Sequence, residues 1–225
     1  MRAALLFDLD GTLTETDHLH FEAMRETLGE HGVAVDWPLY ESQMLGGANA
    51  DLAAQFLPHL APAEGLAVMH DKEARFRARV SSLTRAAGLT ELLAFAADAR
   101  LPCAVVSNAP RANAMLMLEA LGLASRFDPI VLGDELPRGK PDPLPYLTAL
   151  ATLGADARGA LAFEDSRSGI RAAVAAGVTT IGVGASTPAA DMLACGAALV
   201  ARDFTDPDLW RLVRKTAVTM EDTAS

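Results

Sequence analysis

The stretch Phe7-Asp8-Leu9-Asp10-Gly11-Thr12 follows a short apolar run, Ala3-Ala4-Leu5-Leu6, that reads as a buried strand. Two carboxylates therefore stand at the C-terminal end of a strand, where open α/β sheets build their ligand crevices. Gly11 lets the backbone turn sharply away. Paired acids in that place point to a metal site, to a nucleophile with an acid/base partner, or to both. A polar turn closed by Asp-Gly is the plainer alternative.

Further along, the same kind of apolar run recurs at 103–106, 130–132, 160–163, 180–183 and 198–200. Helical spacing separates these runs. Ala114, Met117, Leu118 and Leu121 follow i, i+3, i+4, i+7, as do Ile170, Ala173, Val174 and Gly177, and Leu144, Leu147 and Ala151 mark a third helix face. Alternating strand and helix requires crossover connections of one hand. The expected fold is α/β, a Rossmann-like doubly wound parallel sheet covered on both faces.

Residues 16–85 break the rhythm and contain no convincing strand. Phe21, Met24 and Leu28 mark one helix, stopped by Gly32, and Met69, Phe76 and Val80 mark another. Lys72, Arg75, Arg77 and Arg79 surround the second helix, and a solvated face is the expectation for Lys72 and Arg75. Gly46-Gly47 reads as a loop, and Pro58 and Pro62 punctuate a further helical segment. The expectation is an all-helical cap at 16–85, inserted after the first strand of a core made of 1–15 and 86–225. The polar tail after Arg214 is expected to fray.

The 225 residues suffice for one large domain with a modest insert, and 51% of them are hydrophobic. A net charge of -10 argues against nucleic acid or an anionic membrane as partner. No run approaches the roughly 20 apolar residues of a membrane span. The start of the chain before Asp8 is too short for a signal-peptide core. Cys103 and Cys195 lie in apolar stretches and read as reduced core thiols. A cytoplasmic protein, monomeric or weakly dimeric, is expected.

Three further patches follow strands and so share one rim with Asp8 and Asp10. Ser107-Asn108 sets a hydroxyl before a helix, which suits either an anion or an ordinary helix cap. Lys140, between Gly139 and Pro141, suits a phosphate oxygen or a carboxylate, or stands as a solvated loop lysine. Glu164-Asp165 puts adjacent acids at a buried strand end, which is costly unless they share a cation. Oxygen-only ligands favour magnesium over zinc.

In order and spacing, D-L-D-G-T from Asp8, S-N from Ser107, G-K-P-D-P from Gly139 and F-E-D-S from Phe163 resemble the haloacid dehalogenase-like superfamily of phosphohydrolases over nearly the whole chain. The insert resembles the small helical cap of the subgroup that contains β-phosphoglucomutase and phosphoglycolate-type phosphatases. The resemblance implies that Asp8 is the nucleophile and Asp10 the acid/base. It implies that Ser107, Lys140 and backbone N–H groups near Asn108 bind the transferring phosphoryl oxygens. It also implies Mg²⁺ held by Asp8, the Asp10 carbonyl and Asp165, with Glu164 a direct or water-mediated ligand. His20 stands where cap histidines of related enzymes face the substrate, and Gly46 and Gly47 would let the cap loop approach the core.

Asp10 sets aside the C–halogen and C–P chemistry of relatives that lack it. A hexose-phosphate mutase would need a basic anchor in the cap loop, and residues 44–51 carry no Lys or Arg; Lys72 or Arg75 of the neighbouring helix is the alternative anchor, against the solvated face expected of them. The expected function is a phosphatase for a small phosphorylated metabolite, with a β-phosphoglucomutase-like mutase as the alternative. A receiver-like phosphoacceptor would place its acidic pair after the first strand and would not need Asp10. A non-catalytic binding protein would have no use for the intact chemical set.

Overall fold

A computed structural model of the chain describes residues 2–80, 83–184 and 186–221. Six strands, β1 (Ala4–Phe7), β2 (Cys103–Ser107), β3 (Ile130–Leu132), β4 (Ala160–Glu164), β5 (Thr179–Val183) and β6 (Leu199–Ala201), form one sheet in the order β3-β2-β1-β4-β5-β6. Every pairing is parallel. The ten α-helices among the described residues are α1 (Asp17–Gly29), α2 (Trp37–Gln43), α3 (Asn49–Phe56), α4 (Pro62–Arg79), α5 (Leu89–Asp98), α6 (Arg111–Ala120), α7 (Leu144–Leu153), α8 (Arg167–Ala175), α9 (Ala189–Ala194) and α10 (Pro207–Glu221). This is the doubly wound α/β fold that the alternating runs predict.

Period-two alternation along the strands divides the core. Leu5 and Phe7 point to the face covered by α5, α6 and α10, together with Val105, Leu161, Phe163 and Ile181. Ala4 and Leu6 point to the other face, with Ala104, Val106, Ala160 and Ala162, against α7 and α8. Small residues there let those two helices lie close to the sheet. On the first face, Phe7 stacks on Phe163 with ring centroids 4.8 Å apart, and Phe204 sits edge-on to Phe163 at 5.4 Å.

Strand order reverses at β1, so the crevice at its C-terminal end is the topological switch point of the sheet. Register then decides what meets there. Phe7 pairs with both Val105 and Phe163, and the Asp8 amide donates to the Phe163 carbonyl at 2.9 Å. Asp8, Ser107 and Glu164 are thereby brought to one rim.

Helices α1 to α4 lie between β1 and α5 and bury an apolar cluster of their own, with Met24, Leu28, Tyr40, Leu52 and Met69 at its centre. Phe76 of α4 packs instead into the sheet's core. Short α2 has no counterpart in the sequence reading. It is started by Asp36, whose carboxylate accepts from the Leu39 amide at 2.9 Å, with proline in its first turn.

Three expectations need correction. Helix α7 forms, but Leu147 is 46% exposed, and Tyr146, Ala149, Leu150 and Leu153 make its buried face. The chain beyond Arg214 continues as helix to Glu221, and 222–225 lie outside the described residues. Cys103 and Cys195 are unpaired but only half-buried. Among the described residues no helix is long and apolar enough to cross a membrane.

Phe204→Ala removes a fully buried ring that touches both Phe7 and Phe163. Urea denaturation should report a loss of about 3–5 kcal/mol in unfolding free energy, and a loss below about 1 kcal/mol would contradict the packing described.

Candidate active site

One buried ammonium organises the acids at the rim. Lys140 Nζ donates to Asp8 Oδ1 at 2.7 Å and to Glu164 Oε1 at 2.5 Å. The Tyr146 hydroxyl, from α7, donates to the same Glu164 oxygen at 2.6 Å, and Ser166 Oγ donates to the other. Burial alone would push the Lys140 ammonium down, but Asp8 and Glu164 outweigh it and hold the group above its usual value. Burial pushes the Asp8 carboxyl up; Lys140 pulls it down, Glu164 adds to the rise, and the balance lies at about 8. Asp165 is pushed well above the usual carboxylate range, by burial first and then by Asp8, Asp17 and Glu164.

Lys140 owes its position to Asn108. The Asn108 side chain accepts from the Lys140 backbone amide at 2.9 Å and donates to the Lys140 carbonyl at 3.0 Å, which fixes the lysine's backbone from both sides. Ser107 is buried at the end of β2, and its hydroxyl accepts from the Ala109 amide at 3.0 Å.

Asp10 belongs to a second chain of contacts. Its Oδ1 accepts from Thr16 Oγ1 at 2.8 Å and meets His20 Nε2 at 3.0 Å. His20 Nδ1 lies 2.9 Å from Lys72 Nζ, and the ring stacks on Phe76 with centroids 3.7 Å apart. An ammonium can only donate, so Nδ1 accepts and the proton of the neutral ring sits on Nε2, facing Asp10. Burial pushes the Asp10 carboxyl up, but hydrogen bonds from His20 and Thr16 and the charge of Lys72 bring it below its usual value.

Lys72 is the clearest departure from the sequence reading. It is not on a solvated face but buried, between His20 and Glu73 Oε1 at 3.0 Å. Arg75 does take the expected place, pairing with Glu26 and Glu30 at the surface of the cap. Tyr146, Thr16, Glu73 and the buried Asp17 are site residues that the sequence reading did not name.

The cap loop reaches the core through Gly46. Its carbonyl accepts from Ser168 Oγ at 2.9 Å and from Asn108 Nδ2 at 3.4 Å. Gly46 has a φ of +69°, and a Cβ there would press on Ser166 and Ser168, so only glycine fits without strain. Gly47 packs on Leu52 of α3 rather than on the core. Between cap and core lies a cavity of about 90 Å³, lined by Asp8, Asp10, His20, Lys72, Ser107 and Asn49 among others. It has room for several waters, hence for a small ligand.

Asp8, Glu164 and Asp165 each offer a carboxylate oxygen, and these oxygens lie within 4.8 Å of one another. All three residues are buried. Lys140 neutralises part of this charge, and the elevated Asp165 marks an acid with no cation of its own. A Cβ on Gly11 would collide with the Asp165 carboxylate, so the glycine is what lets that carboxylate lie against the turn. Such an all-oxygen donor set fits magnesium.

Known proteins share this fold and much of its sequence. The haloacid dehalogenase-like hydrolase family matches residues 5–183. Validoxylamine A 7'-phosphate phosphatase of Streptomyces hygroscopicus subsp. limoneus is 34% identical over 191 residues, covering 81% of this chain and 86% of that protein. Beta-phosphoglucomutase of Bacillus subtilis is 31% identical over 212 residues, covering 90% of each. The crystal structure of CbbY from Rhodobacter sphaeroides in complex with phosphate superposes with a TM-score of 0.81 at 31% identity, covering 92% of this chain and 96% of that one. Matches of this length, in sequence and in fold alike, have one meaning: the chain belongs to the haloacid dehalogenase-like hydrolases.

Proposed function

We propose that this hydrolase is a Mg²⁺-dependent phosphatase for a small phosphorylated metabolite, a sugar phosphate or similar ester, working through an aspartyl phosphate on Asp8. The observation that carries this reading is the division of labour at the end of β1. Asp8 is set beside a fixed ammonium within the acidic cluster, whereas Asp10 is set on a chain of neutral and cationic donors facing the cap.

In the first step the Asp8 carboxylate attacks phosphorus opposite the ester oxygen, and the P–O ester bond breaks. The leaving oxygen takes a proton from Asp10, which must therefore enter this step protonated. In the second step water attacks the phosphorus of the aspartyl phosphate, gives its proton to Asp10, and leaves phosphate and a free Asp8. Lys140, the Ser107 hydroxyl and backbone N–H groups near Asn108 bind the phosphoryl oxygens, where transition-state charge gathers. Asp8, Asp165 and the Asp10 carbonyl, with Glu164 beside them, would hold Mg²⁺, which supplies further neutralisation of that charge. Residues 16–85 act as the cap, closing over the substrate about 14–16 and 83–87 and excluding water.

Phosphatase is favoured over mutase by a charge count in the cavity. The basic side chains among its described lining residues, besides His20, are Lys72 and Lys140. Lys72 is already paired with Glu73, and Lys140 with Asp8 and Glu164. A second phosphate finds no spare cation. The names of the relatives agree, since phosphatases of phosphorylated carbohydrates and related esters are prominent among them. We place the protein in the cytoplasm, as a monomer or weak homodimer without nucleic acid or membrane partners.

Asp8→Asn should keep the fold and lower steady phosphate release by about 10³-fold or more. Circular dichroism and a phosphate-release assay check this together, and retained turnover removes Asp8 as nucleophile.

A second expectation follows from the raised acids. Folding elevates the Asp8 carboxyl from 3.8 to about 8, so the native state binds a proton more tightly than the unfolded chain. Metal-free stability should therefore fall as pH rises through that interval. Asp10 and Glu73 are held low and lose their contribution only on the acid side of their ordinary values, so they leave the range above pH ~5.5 undisturbed. Magnesium must displace the cluster's proton, and its affinity should increase from pH 6 to pH 8 by up to about tenfold per unit. Thermal unfolding with and without Mg²⁺ across this range reads both effects; a pH-independent Mg²⁺ affinity would contradict the shared proton.

A further inference from the structure

Helices α4 and α6 share a buried polar contact at the edge of the cavity, which Glu73 lines and Asn113 does not. Asn113, in the first turn of α6, is fully buried. Its Nδ2 donates to Glu73 Oε2 at 2.5 Å, and its Oδ1 accepts from Arg77 at 2.8 Å. Glu73 and Arg77 are both on α4, one helical turn apart, so one amide side chain bridges two charged residues of the neighbouring segment. The other Glu73 oxygen accepts from Lys72, Lys72 donates to His20, and His20 donates to Asp10.

An unbroken run of hydrogen bonds therefore leads from α6 of the core, through α4 and α1, to the acid at the end of β1. Burying an amide, a carboxylate and an ammonium together is costly unless every group is matched. Here each finds a partner of the right sign. Glu73 shows the balance: burial pushes its carboxyl up, yet the Lys72 charge and the hydrogen bonds from Lys72 and Asn113 hold it below its usual value.

The last links carry a chemical consequence. Glu73 and His20 share the Lys72 ammonium, and its donation to His20 Nδ1 keeps the ring proton on Nε2, facing Asp10. A Lys72 released from Glu73 could turn towards the cavity and its anionic ligand. The ring could then present a lone pair to Asp10 instead of a donor.

We propose that Asn113 is a positioning residue for the acid/base: it holds Glu73 across the boundary between cap and core, and through Lys72 and His20 it sets the proton-transfer geometry of Asp10. Because the two partners belong to different segments, the run is complete only when α4 lies against α6. Acid/base readiness is thereby tied to a docked cap. The inference rests on the phosphatase reading above.

The test compares two monoesters. An alkyl phosphate needs a proton on its leaving oxygen, whereas p-nitrophenyl phosphate expels a stable phenolate and needs little help. Asn113→Leu should lower kcat/KM about tenfold or more for the alkyl ester and by less than about twofold for the nitrophenyl ester. Asn113→Asp, which sets two carboxylates face to face, should show the same selective loss.

The exchange Glu73→Gln with Asn113→Asp keeps the charge and every hydrogen bond. The introduced amide on α4 then donates to the introduced carboxylate on α6 and accepts from Lys72, and Arg77 still has its acceptor. This double variant should return the ratio of the two esters to within about threefold of the parent. It carries the comparison if Asn113→Leu fails to fold. Equal losses on both esters, no loss in the single variants, or a double variant as poor as the product of the singles would overturn the proposal. A parent protein that releases phosphate from neither ester would instead overturn the phosphatase reading, and the inference with it.

Discussion

The site depends on the Lys140 ammonium, which holds Asp8 and Glu164 at the ends of two neighbouring strands. Without it, two buried carboxylates would face each other and a third, Asp165, with only the Tyr146 and Ser166 hydroxyls on Glu164 to offset the loss of water. Several features far apart in sequence serve this one charge. Asn108 fixes the lysine's backbone, Tyr146 shares its Glu164 oxygen, and strand register brings the acids within its reach. Burial first, and then the negative charge of the neighbouring acids, raises Asp8 and Asp165, and on the proposed reading it is this cluster that holds the cation.

Asp10 lives in different electrostatics although only one residue, Leu9, separates it from Asp8. The chain curls after β1, and Gly11 at φ +73° completes the turn, so Asp10 meets Thr16 and His20, with Lys72 behind the histidine, rather than the acidic cluster. Burial, with Glu164 adding to it, pushes one carboxyl up against the pull of Lys140, while His20, Thr16 and Lys72 hold the other down. On the proposed reading placement, not these shifts, assigns the tasks: the acid beside the ammonium attacks, and the acid on the histidine relay moves protons.

Strands were legible because buried parallel strands are short, apolar and followed by polar turns, as at 160–163, and the motifs after them were legible as chemistry. Side-chain partners were not. Helix α7 is apolar nearly all round, so spacing alone could not tell Leu147, which faces solvent, from Tyr146, which faces the sheet. Lys72 was hidden by its basic neighbours. The signal was nonetheless present, since Lys72 and Glu73 stand three and four residues from both Met69 and Phe76, on the buried face of α4. Asn113 has the same signature, four residues before Met117 on the face of α6 that enters the core. A charged or amide residue in phase with an apolar stripe is where a hidden polar network should be sought.

Mass spectrometry on enzyme quenched in acid during turnover, with Mg²⁺ and a small sugar phosphate, tests the central claim most directly. The account predicts that the peptide containing Asp8 carries one added phosphoryl group, labile to base and absent when substrate is withheld. Steady phosphate release with no modification of that peptide, or with the group on another residue, would contradict it.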